Sequence, residues 1–271
     1  MRPMTLPRAA SQALRPAAAW SWAGLGAACG LGLALVLFAP ARWLTPLVAW
    51  ASQGHVAMQD PQGTVWNGSA QWVLSGGQGS RDAVALPSRL TWTLRPEMRG
   101  LALSLHAACC TPQPVTLQIH PAWTGVAVTM TDIAQAHGPA QLLAGLGTPW
   151  NTLQLEGQLQ LSTHQLRLQW VSQQLQVQGE ARLLALDMTS RLTTLRPMGS
   201  YRLTLHGGEV AMLRLETLQG GLRLSGSGPW GPSGLRFSGE ATTAPEHAAV
   251  LANLLNLLGR REGARSIITI G

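Results

Sequence analysis

TLQLEGQLQLSTHQLRLQW, Thr152 to Trp170, alternates apolar and polar side chains for most of its length. Leu153, Leu155, Leu159 and Leu161 and, after a change of parity, Leu166, Leu168 and Trp170 are read on one side, and Gln154, Gln158, Gln160, Arg167 and Gln169 on the other. A helix, with its period of 3.6, would scatter these leucines around its circumference. A strand gathers them on one face, because its side chains point alternately up and down. The stretch reads as a half-buried strand.

The same period runs outward in both directions. LTWTL (90–94), LALSL (101–105) and VTLQI (115–119) precede it; LQVQGEA, YRLTLHG, VAMLRLETL, GLRLSGSG and LRFSGEA follow. Glycine- and serine-rich joints at short intervals predict antiparallel neighbours joined by tight turns. A sheet with one apolar face must cover that face or curl upon itself. The expectation is an all-β fold, a curled antiparallel meander of about ten to twelve strands.

Two stretches break the alternation. TDIAQAHGPAQLLAGLG (131–147) has helical spacing interrupted at Gly138-Pro139. From Thr243, a capping box with Glu246 introduces a stripe of Val250, Leu251, Leu254, Leu255 and Leu258, and Gly259 is the expected stop. This predicts a short C-terminal helix lying on the sheet. Arg260 to Gly263 then turn the chain and SIITI (266–270) returns as a final strand.

Only 11% of the chain is charged, and its net charge of +7 is unevenly placed. Arg2, Arg8, Arg15 and Arg42 flank one apolar segment; the other 15 arginines face 12 acidic residues and form no basic stripe. Nucleic acid is therefore a poor partner. Between Arg15 and Arg42 lie 26 residues without a charge, long enough to span a bilayer. Trp20, Trp22, Trp43 and Trp50 sit where interfacial anchors would. The segment is too long for a secretory h-region, although Ala39-Pro40-Ala41 resembles a cleavage site, so an uncleaved anchor is favoured. The expected organisation is a cytoplasmic tail (1–15), a transmembrane helix (16–42), a linker (43–62) and a periplasmic β-rich domain (63–271), in a single-pass bacterial inner-membrane protein.

Chemistry is sparse. The seven histidines are dispersed without zinc spacing, and no GxSxG elbow occurs. Gly226-Ser227-Gly228-Pro229-Trp230-Gly231 fits GxGxxG literally, but a strand follows it and Pro229 removes a donor, so it reads as a hairpin loop. No cofactor or small-molecule ligand is implied. Cys109 and Cys110 are adjacent, which leaves a strained vicinal disulfide, a bond to a second copy, or two free thiols. Trp66 and Trp150, each before an asparagine turn, read as locally buried rings. Arg191 and Arg196 beside Pro197, and the adjacent Arg260 and Arg261, are candidate docking residues.

Several stretches together resemble the type II secretion system protein N family: GTVWNGSA (63–70), LPSRLTWTLRP (86–96), LGTPWNTLQLEGQLQL (146–161), SRLTTLRPMGSYRLTL (190–205), LETLQGGLRLSGSGPW (215–230) and LLNLLGRREGARSIITIG (254–271). The resemblance implies a bitopic inner-membrane accessory subunit that contacts other secretion subunits and catalyses nothing itself. A leucine-faced sheet on one anchor is also similar to lipid-handling envelope proteins of the AsmA type, although this chain is too short to bridge two membranes.

Deleting Ile267–Gly271 removes a paired strand and its isoleucines, at about 1.5–3 kcal/mol per buried side chain. The truncated protein is expected to be less stable by several kcal/mol in urea denaturation; unchanged stability would mark the tail as a free peptide.

Overall fold

In a computed structural model the described residues are 17–122, 125–171, 174–231, 234–263 and 265–271. The chain divides into two compact units, Met1–Ala39 and Pro40–Gly271. The expected tail over 1–15 and the side chain of Trp20 lie outside the described residues.

Helix α1 (Ala17–Leu37) holds no charged residue in 21. It stops ahead of Pro40, since a residue preceding proline is turned away from helical geometry. The transmembrane helix expected over 16–42 is thus cut short at Leu37. Among the described residues no helix is long and apolar enough to cross a membrane.

The linker expected over 43–62 is instead folded. Helix α2 (Leu44–Ala51) is followed directly by strand β1 (Val56–Gly63). Leu44 and Val48, one turn apart, press on Met58, Ala70 and Trp92, a contact that the short apolar run 44–51 makes worth ordering.

The rest is mostly antiparallel sheet, as the two-residue period requires. β1 pairs with β2 (Asn67–Ser75), which also takes β3 (Ala83–Ala85) along one half and β4 (Leu90–Glu97) along the other. β5 (Gly100–Ala107), β6 (Val115–Ala122) and β7 (Gly125–Met130) follow as up-and-down neighbours. β8 (Ala136–Pro139) and β7 share one side of β9 (Leu155–Val171), and β10 (Gln174–Ser190) fills the other. Each arm of the β9–β10 hairpin has 17 residues, about 56 Å at roughly 3.3 Å per residue. β11 (Gly199–His206), β12 (Ala211–Gly220), β13 (Leu222–Gly231), β14 (Gly234–Leu235), β15 (Phe237–Thr243), β16 (Arg260–Glu262) and β17 (Arg265–Ile270) complete the meander. The GxGxxG stretch lies within strand β13 rather than in a loop; Phe237 crosses over Gly226 there, and a side chain would block it.

Two bulges kink the long hairpin. At the first, Gln165 and Gly179 both take positive φ, and a Cβ on Gly179 would strike the Gln165 carbonyl. The second pairs Asp187, also at positive φ, with a register shift between Leu186 and Thr189. Such bulges increase local twist and bend a ribbon this long. The sheet curls until β2–β3 and β9 both meet the 3-10 segment Ala140–Leu146. Gly145 lies against the backbone of Leu74, and Asn151, on the single-turn helix α3 (Trp150–Leu153), donates from Nδ2 to Asp82 Oδ2 at 2.8 Å. The helix expected over 131–147 is therefore split into strand β8 and this segment, at Pro139.

The C-terminal helix is shorter than its pattern predicts. A 3-10 turn (Pro245–His247) comes first, and α4 spans only Ala252–Leu258. Thr243 does not cap it; its hydroxyl donates to the Gly221 carbonyl at 3.1 Å. Leu251, Leu254 and Leu255 are fully buried, while Val250 is exposed. Gly259 is extended, not left-handed; glycine is needed there because a side chain would collide with the Ile267 carbonyl. Strand β17 returns beside α4, and Ser266 Oγ donates to the Leu255 carbonyl at 2.7 Å. Ile267 and Ile268 are half-buried, and Ile270 is exposed.

Tyr201, the one tyrosine in the sequence, lies in this core and donates to the Leu222 carbonyl at 3.1 Å. Burial raises its phenol well above the ordinary value. The folded state therefore holds the phenolic proton more tightly than the unfolded chain. The associated stability is complete below about pH 10 and declines as pH rises toward the folded pKa. In an absorbance titration at the phenolate band, native protein should show no ionisation near pH 10 while denatured protein does; a native midpoint near 10 would place the ring in solvent.

Candidate functional site

The pleat gives the sheet an apolar face and a polar one. On the apolar side, cross-strand pairs such as Leu103–Leu117, Ile119–Val128, Val128–Leu168 and Leu168–Val177 follow one another across the centre. The partners on the other side are Ser104–Thr116, Gln118–Thr129 and Gln169–Gln176. Helix α4 covers the C-terminal part of the apolar face, over Met188, Met198, Tyr201 and Leu222. Helix α2 covers the N-terminal part, around Trp92. Between them a smaller cluster of Leu166, Val177 and Ala211 has no helix in it. Leu101, Leu103, Leu117, Ile119, Val128 and Leu168 are only half-buried, so this part of the apolar face is incompletely covered. Helix α2 and the 3-10 turn before it (Ala41–Trp43) add an outer stripe of Trp43, Leu47 and Trp50, all exposed. Its one-turn spacing was readable in the sequence, but an assumed linker hid it.

The expected docking arginines divide into two groups. Arg191 and Arg196 lie in the β10–β11 connection, and Arg260 and Arg261 form β16 at the far end of the strand order. All four are exposed. Arg191 faces Glu156 at 3.5 Å, Arg260 faces Glu262 at 2.8 Å, and Arg261 donates to the Gly263 carbonyl at 3.1 Å. Solvated pairs of this kind contribute little stability and leave the cations accessible to a partner. Trp150 is partly exposed, contrary to the buried ring expected of it.

Long-range pairing also assembles a polar cluster that sequence spacing concealed. His164, Glu180 and His206 come into one row across β9, β10 and β11. His164 Nδ1 meets Asp132 Oδ2 at 3.0 Å, and Glu180 meets Arg182 at 2.6 Å and His206 at 3.4 Å. Asp132 also accepts from the Gln165 N–H, which fixes the first bulge. His164 is 72% exposed on its side chain, so the cluster is a solvated brace on the hairpin. Among the described residues no group of three or more His, Cys, Asp or Glu is placed to hold a metal ion.

Cys109 and Cys110 are joined as a vicinal disulfide in the β5–β6 turn. The turn is tied on three sides. The Cys110 N–H donates to the Ala107 carbonyl at 2.9 Å, the Cys109 N–H to Ser88 Oγ at 3.1 Å, and the Cys110 carbonyl accepts from His137 at 2.8 Å. Cys29 is a free thiol, exposed on α1.

A curled antiparallel sheet with an incompletely covered apolar face and solvated ion pairs is an all-β fold. Its family is more specific. The model of the type II secretion system (T2SS) protein N family matches residues 54–268, and the chain belongs to that family as a type II secretion component. No curated protein and no solved structure matches it.

Alkylation of the unreduced, denatured protein should modify one cysteine, Cys29, and reduction should raise this to three. Three modified cysteines before reduction would mean that the vicinal pair does not form.

Proposed function

We propose that this chain is a non-enzymatic accessory subunit of the type II secretion machinery, working by contact with other subunits from the periplasmic face of the inner membrane. The observation that carries the reading is the family match over 54–268, which takes in nearly the whole sheet. The arginine-flanked, uncharged segment between Arg15 and Arg42 supports anchorage, and the lone positive tail favours a cytoplasmic N-terminus. Contact surfaces of suitable kind are Arg191 and Arg196 on one connection and Arg260 and Arg261 on β16. Among the described residues β1 has no strand partner on its outer edge, and such an edge can accept a partner by β-augmentation.

A second reading draws on the half-buried leucines of the uncovered face. A curled sheet with a leucine-rich face suits an acyl chain, as in lipid-handling proteins of the AsmA type.

One genetic experiment separates the two. In a strain lacking the gene, type II substrates should accumulate in the periplasm, and an Arg191→Glu/Arg196→Glu variant should restore export less well than the unaltered gene. Normal export together with altered outer-membrane lipid would reject the secretion reading in favour of the lipid one.

A further inference from the structure

The vicinal disulfide stands where three separate stretches of chain meet: the lead-in to β4, the β5–β6 turn and β8. The Cys109 N–H reaches Ser88 Oγ ahead of β4, and the Cys110 carbonyl receives the His137 N–H of β8. Thr111 locks the same turn. Its hydroxyl accepts from the Ala107 N–H at 2.9 Å, and its own N–H donates to the Ala107 carbonyl at 2.9 Å. In an antiparallel ladder, alternate residues turn their N–H and C=O groups to opposite neighbours. His137 gives its N–H to the turn, so β8 is held by β9 on one side and by Cys110 on the other. β8 leads straight into the Ala140–Leu146 segment, which meets β2, β3 and β9.

A disulfide stabilises a fold mainly by closing a loop in the unfolded chain, and the effect grows with the number of residues enclosed. Cys109 and Cys110 are adjacent and enclose none, so by that route the bond adds little. Its consequence is local. Closed, it fixes the turn whose backbone holds Ser88 and His137; open, it frees two side-chain rotors and the backbone between them. The bond is also within reach of a reagent. Both cysteines are half-buried, and Ala108, Pro112, Gln113 and Pro114 around them are exposed. Residues 40–271 contain no further cysteine, because Cys29 belongs to α1. A thiol pair opened here can therefore re-form only its own bond within the sheet domain.

We propose that Cys109–Cys110 is a reversible thiol–disulfide exchange site, whose redox state sets how firmly β8 is held. The reductant is a dithiol. One of its thiolates attacks a cysteine sulfur and forms a mixed disulfide, which releases the other cysteine. The reagent's second thiol then displaces the remaining cysteine sulfur. The reagent leaves as a disulfide, and its two protons end on Cys109 and Cys110. The oxidised reagent reverses both steps. With the bond open, the turn no longer fixes the Cys110 carbonyl, and β8 keeps only its β9 side. This site needs neither the secretion contacts nor the anchorage proposed above.

The test uses the full chain carrying Cys29→Ala, folded in detergent, with and without dithiothreitol and with no denaturant. Dithiothreitol should open the bond, so that alkylation modifies both cysteines. The His137 amide should then exchange with deuterium about tenfold or more faster than in the oxidised protein. The Leu222 N–H, bonded to the Met198 carbonyl elsewhere in the sheet, should keep its rate. Oxidised dithiothreitol should restore slow exchange at His137. A Cys109→Ser/Cys110→Ser variant should show the fast His137 rate whether or not dithiothreitol is present. A bond that opens only in denaturant would overturn the proposal, as would an opened bond with an unchanged His137 rate. Equal acceleration at His137 and Leu222 would also overturn it, since the pair would then support the whole fold rather than β8.

Discussion

A two-residue alternation of leucine with glutamine, serine or threonine, sustained through a 17-stranded sheet, leaves the chain with one oily face to conceal. Each fully buried leucine contributes about 1.5–3 kcal/mol relative to exposure, so an uncovered face of this extent would be unfavourable in water. The chain meets the demand by curling, by bulging its longest hairpin, and by laying a short helix over each end of the face. Leu251, Leu254 and Leu255 of the C-terminal stretch are completely buried, and α2 seals Trp92 and Ala70 at the other side. Everything else in the domain is arranged around these two covers.

The covers do not meet. Between them, Leu166 and Val177 are buried, but Leu101, Leu103, Leu117, Ile119, Val128 and Leu168 stay only half-buried. Contiguous apolar surface of this kind marks an interaction site more often than a structural accident. The polar chemistry lies elsewhere and is solvated. The vicinal disulfide closes a turn that ties the residues before β4, the end of β5 and β8 together.

Strand identity was legible because period two is local: LTWTL, LALSL and the 152–170 stretch needed no partner to be read. Family membership was likewise legible in the ordered stretches from GTVWNGSA onward. Helix limits were not, since they depend on contacts distant in sequence. Thr243 looked like a cap, yet its hydroxyl is used by Gly221, a strand away. Gly259 looked like a left-handed stop, and the true constraint is the carbonyl of Ile267 across the turn. Residues 43–62 looked like a linker because α2 and β1 are ordered only by packing on each other and on β2. The His164–Glu180–His206 row was invisible for the same reason: register, not spacing, brings those side chains together.

The continuity of the long hairpin underlies all of this, and one distance measures it. Spin labels at Gln158→Cys and Arg167→Cys, in a chain also carrying Cys29→Ala, lie on one arm on either side of the first bulge. A single strand separates their backbones by about 30 Å, at roughly 3.3 Å per residue. A helix through the same residues would bring them to about 14 Å, at roughly 1.5 Å per residue. A pulsed dipolar distance near the longer value, allowing for the label linkers, supports the one-faced sheet; a distance near the shorter value contradicts it.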